Sequence, residues 1–239
     1  MNNKSELFEL FWENSKFNHA NIGEFQKSIE AYSGMEHEIP ALQYSSPDIV
    51  LPRNKGKLDK LMQRRMSRRN FADKQLTLKN IGAILGSLSG NNSGGRVIAS
   101  AGATYPLEIF CLLNNVQGEN NGKVAYYNVD NHSFSIVGNA PNWDDSKRLF
   151  NIETQGTPAV VVIFVLFSER TTMKYSERGG RFALIEVGEA LQSLSLAVAS
   201  EGLTGCAMGG MLDDEIKEIL GLSKTTAKIA LGYMCGFGA

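Results

Sequence analysis

Residues 158–167 read "PAVVVIFVLF", from Pro158 to Phe167, and the fold turns on how that run is read. From Ala159 to Phe167 it is uninterruptedly apolar and rich in β-branched and aromatic side chains. It shows no alternation of period two, so it reads as a strand buried on both faces. Such a strand needs a layer of structure above it and another below. The same run is too short to cross a bilayer as a helix.

Working outward on the C-terminal side, residues 181–201 carry Leu184, Val187, Leu191, Leu194 and Val198 at spacings of 3, 4, 3 and 4, one continuous apolar seam of a helix. Gly188 inside it costs about 1 kcal/mol against alanine, which points to close packing against another backbone. Between strand and helix lies "MKYSERGGRF", Met173 to Phe182, which gathers Lys174, Tyr175, Arg178 and Arg181 around two glycines at the expected strand end. This is either a solvated connection, with a lysine snorkelling from its edge, or chemistry held on a rigid rim. Further on, "LTGCAMGGM" reads as a short strand into a glycine turn, "LDDEIKEILGL" as a helix capped by Asp213, and "KIALGYMCGFGA" as a final strand.

On the N-terminal side, "PLEIFCLLNNV" reads as a strand. "GKVAYYNV" and "SFSIVG" form a hairpin turned by Asp130–Asn131, and "NWDDSKRLF" is a short helix. "KLDKLMQRR" has helical spacing at Leu58, Leu61 and Met62, and Thr77 opens another helix that Gly90 ends. Residues 5–33 hold two helical stretches broken near "NHANIG", with Asn21 as a cap for the second; residues 34–56, with three prolines, read as an extended, wrapping segment. Helices and strands mix without βαβ alternation or internal repeat. The expectation is one α+β domain over 57–239, a sheet covered by helices, preceded by a helical and extended arm over 1–56.

With 24 basic and 25 acidic side chains the net charge is −1, so no global field draws the chain to nucleic acid or an anionic membrane. The 43% apolar and 21% charged fractions are those of a soluble globular protein. "MNNKSELFELFWENSKF" lacks the apolar core of a secretory signal, and a cytoplasmic location is expected. Cys111, Cys206 and Cys235 are widely spaced, which argues against a disulfide framework or a zinc site and for buried thiols. His19, His37 and His132 lie in weakly patterned regions, which argues against a histidine triad or a metal centre.

Three constellations carry chemistry. "QRRMSRRNF", Gln63 to Phe71, sets arginines at 64, 65, 68 and 69 around Met66 and Ser67. Such a cluster suits a phosphate, or is a solvated helix end favoured by the dipole. "RVIASAGATYPLEIF", Arg96 to Phe110, offers Ser100, Ala101 and Gly102, small enough for a flat ligand to reach the backbone, or is a plain loop. "CAMGGMLDDE", Cys206 to Glu215, places Met208, Gly209 and Gly210 between strand and helix, where amides can face a ligand; no GxGxxG fingerprint is present.

In order, these pieces resemble one family. Arg65-x-Ser67-x-Arg69-x-Phe71 resembles the RxSxRxF signature of the nitroreductase-like flavoproteins. "RVIASAGATYPLEIF" resembles the R-x-x-P-S-A-G-A-x-Y-P-L-E segment of their SagB-type branch, and "KYSERGGRFALIEVGEALQS" its K-Y-x-x-R-G-Y-R-x-A-L-x-E-x-G-x-x-x-Q-N block. "MGGMLDDEIKEILGL" is similar to its glycine turn and following helix, so the resemblance covers 57–239. It implies a nitroreductase-like homodimer, with a mostly antiparallel central sheet covered by helices and FMN at the subunit interface. Arg65, Met66, Ser67 and Arg69 would hold the FMN phosphate and ribityl chain. Ser100, Ala101 and Gly102 would lie against the flavin from the partner subunit, Met208, Gly209 and Gly210 would line its ring, and Gln192 would join the cofactor set. The family needs no metal.

The SagB-type branch contains azoline dehydrogenases, which oxidise thiazoline and oxazoline rings of ribosomal precursor peptides to thiazoles and oxazoles beside a cyclodehydratase. The resemblance makes Lys174 and Tyr175 the catalytic pair. Lysine takes a ring proton, helped by burial or the nearby arginines, and tyrosine orients the ring or relays the proton. Four departures stand out: Ala99 for proline, Gly180 for tyrosine, Ser193 for asparagine, and a C-terminus with Phe237 in place of a basic residue. A general NAD(P)H-dependent nitro- or quinone reductase, and a flavin-free scaffold subunit of a synthetase complex, remain open alternatives.

Overall fold

The computed structural model describes residues 6–33, 42, 49–52, 56–90 and 95–239. In chain order the first elements are α1 (Glu6–Ser15), α2 (Ile22–Ser33), α3 (Lys57–Arg64), α4 (Leu78–Leu85), β1 (Leu107–Leu113), β2 (Lys123–Asn128) and β3 (Ser133–Asn139). They are followed by α5 (Trp143–Ser146), β4 (Val160–Leu166), α6 (Glu169–Tyr175), α7 (Arg178–Ser200), β5 (Thr204–Met208), α8 (Asp213–Ile219) and β6 (Lys228–Gly236).

Every residue of β4 is buried. Its side chains divide between two cores: Val160, Val162, Phe164 and Leu166 join the cluster under α4 and α7, while Val161, Ile163 and Val165 join that of Trp143, Phe150 and Ile216. Both faces are therefore covered, which is why the sequence here shows no alternation. The sheet runs β3-β2-β1-β4-β6-β5, and all neighbours are antiparallel. This is the α+β architecture expected, a six-stranded sheet between helical layers.

The seam on α7 is rotated from the one expected. Ala183, Val187, Ala190, Leu194 and Val198 face the sheet, while Leu184 is exposed and Leu191 half-buried. Two alanines at the contact let the helix approach closely; leucines there would hold it off. Gly188 is exposed, and a Cβ built on it meets nothing within 4 Å, so it is not the site of close packing. Long and apolar enough by composition to span a membrane, α7 here lies against the protein's own sheet.

Several caps also differ. Asp213 is the first residue of α8, not its cap; its buried carboxylate accepts from the Phe17 amide at 3.1 Å, and burial pushes its pKa up to about 6. Asn21 turns its amide back, accepting from the Asn18 amide and donating to the Lys16 carbonyl. The β2–β3 turn is organised by Asn128, which accepts from the Asp130 and Asn131 amides, and by a left-handed His132. Thr77 does cap α4, in a reciprocal pair with Asn80. Much of the expected extended segment over 34–56, with His37, lies outside the described residues. The three cysteines are buried thiols, and no metal-ligand cluster occurs among the described residues.

Candidate functional site

Of the four-arginine run only Arg64 lies in a helix, in the last turn of α3; Arg64, Arg68 and Arg69 are exposed and Arg65 is half-buried. α3 stops at Arg64 because Arg65 turns extended, and the chain then crosses the sheet margin. Ser67 bridges to Gly205, the Arg68 amide donates to the Gly205 carbonyl at 2.9 Å, and Phe71 is buried. This path lines a cavity of about 250 Å³ with Arg64, Arg65, Met66, Arg68, Gly205 and Tyr233. A second, of about 720 Å³, is lined by Ser67, Arg68, Arg69 and Asn70; Arg68 borders both, so the two adjoin. Gly205 itself is pressed against β6, where a Cβ would lie 2.6 Å from the Met234 carbonyl and 2.7 Å from the Tyr233 ring. Among the described residues none of these arginines is paired with a carboxylate. Unneutralised guanidiniums around a cavity suit a phosphate.

The segment from Ser100 to Tyr105 is no plain loop. Gly102, Ala103 and Tyr105 have φ of 60°, 55° and 44°, left-handed values that cost L-residues energy and persist only when their surroundings enforce them. The enforcement is visible. Ser100 Oγ accepts from the Tyr105 amide at 2.8 Å, and Thr104 and Thr171 hydroxyls share a hydrogen bond at 2.8 Å. Arg170 donates to the Tyr105 carbonyl at 2.8 Å and to Glu108 at 2.6 Å.

Lys174 and Tyr175 stand not at an open strand end but in the last turn of α6, a helix between β4 and α7. The Lys174 ammonium donates to the Gly102 carbonyl at 3.0 Å, and a Cβ on Gly102 would fall 2.5 Å from Lys174 Nζ and against the Tyr175 hydroxyl. The pair and the Ser100–Gly102 loop thus form one cluster. Lys174 is exposed; Tyr175 is half-buried, edge-on to Phe182 at 5.1 Å. Arg178 and Arg181 point outward from the first turns of α7.

Sequence reasoning missed Glu186. It lies buried on α7, near Ser100. Burial pushes its carboxyl up to about 7, against the pull of Ser100 and Arg96, and Glu189 adds to the rise. The available signal was its place beside Val187: an acid next to a seam residue on a sheet-facing helix.

The third group follows β5. Met208 is buried in the core, and a Cβ built on Gly210 would lie 3.4 Å from Asn151 and 3.5 Å from Phe25. From Gly205 to Met208 is about 10 Å along the strand. From Glu186, at the Ser100 loop, to Ser195, on the arginine cavity, is about 13 Å along α7. Gln192 is exposed on α7 between them. One chain therefore presents the arginine cavity and the Lys174–Gly102 cluster as separate patches.

The profile described as the Nitroreductase family matches residues 61–238. The chain belongs to the nitroreductase family. It is 34% identical to MJ1384 of Methanocaldococcus jannaschii, a nitroreductase by assignment, over 69% of this chain and 84% of that protein. It is 27% identical to the microcin B17-processing protein McbC of Escherichia coli over 66% of this chain, and spans 61% of McbC. Among solved structures, a chain of the E. coli microcin synthetase McbBCD complex with truncated pro-MccB17 bound shares the fold, with a TM-score of 0.68 and 20% identity over 93% of this chain and 95% of that one. A Ralstonia eutropha protein of nitroreductase type gives 0.65 and 21%, over 84% of this chain and 93% of that one.

As a nitroreductase-family chain it shows two departures that the structure accounts for. Gly180 is buried, and a Cβ on it would enter the ring of Phe8 from α1, which fills the space a larger residue would take. Near the C-terminus the Lys74 ammonium lies 3.9 Å from the centre of the Phe237 ring, bringing a cation to that neighbourhood from elsewhere in the chain. Nothing in the structure explains Ser193.

Proposed function

We propose that this nitroreductase-family protein is an FMN-dependent azoline dehydrogenase of SagB type, oxidising thiazoline or oxazoline rings of a ribosomal precursor peptide beside a cyclodehydratase. The observation that carries the reading is the cluster of Lys174, Tyr175 and Gly102. It puts a proton acceptor and a phenol on the strained loop that the family resemblance sets against the flavin. The fold likeness to a microcin synthetase chain, which extends over 93% of the sequence, supports it.

The unpaired arginines and the backbone-lined cavity fit an FMN phosphate, with Arg65, Met66, Ser67 and Arg69 holding that end. Ser100, Ala101 and Gly102 of one protomer and the Met208–Gly210 turn of the other meet the ring, with Gln192 between. A homodimer brings the separate patches together, and the exposed Leu58 and Met62 on α3 with Leu184 and Ile185 on α7 offer apolar surface for it. Bound FMN supplies the acceptor for the hydride that leaves the azoline ring. The chain's part is to remove the proton from the adjacent ring carbon, with Lys174 as its acceptor and Tyr175 orienting the ring.

The decisive experiment replaces Lys174 with Ala and Tyr175 with Phe, then follows the loss of two hydrogens per ring by mass spectrometry. Both variants should bind FMN and lose oxidation; wild-type oxidation by either overturns its assignment. A second reading, a general NAD(P)H-dependent nitro- or quinone reductase, is favoured by the 34% identity to MJ1384. Stopped-flow bleaching of the flavin by NAD(P)H, faster than by an azoline peptide, would select it.

A further inference from the structure

Lys174 and Tyr175 owe their position to the corner between α6 and α7. α6 ends at Ser176, a non-glycine residue with φ 52°. Gly179 then packs so tightly that a Cβ would lie 2.8 Å from the Thr171 and Thr172 backbone. Neither feature is relaxed, so something must hold the turn closed.

What holds it is α1, which lies outside the family-matched residues 61–238. The Glu177 carboxylate accepts from the Leu7 and Phe8 amides at 3.1 and 3.0 Å, satisfying first-turn donors that have no partner within the helix. The Phe8 ring occupies the space over Gly180, within 2.6 Å of where a Cβ would stand. Glu9 pairs at 2.9 Å with Lys228, an ammonium only 7% exposed, and withdrawing α1 would leave that buried charge unpaired. Farther along, the Phe17 amide donates to buried Asp213, Phe17 bridges Leu212, and the Phe25 ring lies 3.5 Å from where a Cβ on Gly210 would stand. One N-terminal arm is thus fastened both to the Lys174–Tyr175 corner and beside the Met208–Gly210 turn.

We propose that this arm is a strap that positions the candidate site: Phe8 and Glu9 of α1, seated on Glu177, Gly180 and Lys228, hold the α6–α7 corner and so keep Lys174 and Tyr175 over Gly102. Phe8 and Glu177 are then positioning residues for proton removal, although neither reaches Gly102. The strap leaves the arginine cavity untouched, which separates its effect from flavin affinity. Only the activity arm of the test rests on the azoline reading.

The test uses the full chain reconstituted with FMN, as Phe8→Ala, Glu177→Ala, Glu177→Gln, Gly180→Tyr and the double variant Phe8→Ala/Gly180→Tyr. Four quantities are read: hydrogen exchange over 169–182, the rate of Lys174 acetylation by acetic anhydride, FMN affinity, and ring oxidation. Phe8→Ala and Glu177→Ala should speed exchange and change Lys174 acetylation, each by about tenfold, and lower kcat with FMN affinity unchanged. Glu177→Gln keeps one acceptor but turns an NH2 toward the second α1 amide, so its effect should fall between wild type and Glu177→Ala. Gly180→Tyr should loosen the corner by evicting Phe8, and adding Phe8→Ala should restore it, because the tyrosine ring then refills the slot. Phe8→Leu replaces Phe8→Ala if the latter does not fold. Wild-type exchange and acetylation in both Phe8→Ala and Glu177→Ala, or no recovery in the double variant, overturns the strap. If the wild-type protein oxidises no azoline, exchange and acetylation still decide, so the strap and the proposed reaction fail separately.

Discussion

Gly102 has φ 60° with Lys174 Nζ and the Tyr175 hydroxyl crowding the place of its missing side chain. Gly102→Ala pays about 1 kcal/mol for the left-handed backbone and also displaces both side chains. Azoline turnover should fall at least about tenfold, while fluorescence titration shows FMN still bound at the arginine cavity. Glu186 makes a different prediction. Its carboxyl, raised to about 7, holds its proton more tightly in the folded than in the unfolded chain. Stability therefore declines as pH rises from the ordinary carboxylate range to about 7, then levels off. Glu186→Gln stays neutral and escapes that decline. Its Tm should match wild type near pH 4 and exceed it by a few degrees at pH 8; the reverse slope in a thermal melt series would sink the account. The sequence marks Glu186 only as an acid beside a seam, which can face either way until the helix rotation is known.

At the scale of elements, β4 and α6 mark the two limits of legibility. β4 announced itself because both faces are covered, so its composition alone was enough. α6, "ERTTMKY", has no apolar period; it is held through buried Thr171 and Thr172 and its corner with α7, contacts that do not exist until the chain has folded. The Lys174–Tyr175 pair it carries is legible in the sequence, but the helix that supports the pair reads there as a strand end. The α7 seam was found and its rotation missed, because alanines at 183 and 190 weigh little in a hydrophobic pattern yet permit the closest approach. One consequence is measurable: with nothing within 4 Å in its own chain, Gly188→Ala should raise stability by about 1 kcal/mol in denaturant titration if this face is open. Unchanged or lower stability would mean that the exposed face of α7 is already packed against a partner.

For the molecule as a whole, the open question is how patches about 13 Å apart along α7 become one site. The proposed homodimer would answer it, and the arginines test the flavin half. Since no carboxylate neutralises them among the described residues, Arg65→Ala should leave the melting temperature nearly unchanged. It should weaken FMN binding by about tenfold or more in a fluorescence titration, with a smaller dependence on salt. Wild-type affinity would move the phosphate away from this cavity.

The sequence by itself determined the α+β class, the doubly covered central strand, and which short motifs carry polar chemistry, because burial and local backbone freedom are written in composition and spacing. Only the tertiary structure decided that Lys174 meets Gly102, that Glu186 is buried near Ser100, and that Phe8 stands over Gly180. Those contacts join residues 72, 86 and 172 positions apart, and no local pattern records a meeting that exists only once the sheet and α7 have brought the segments together.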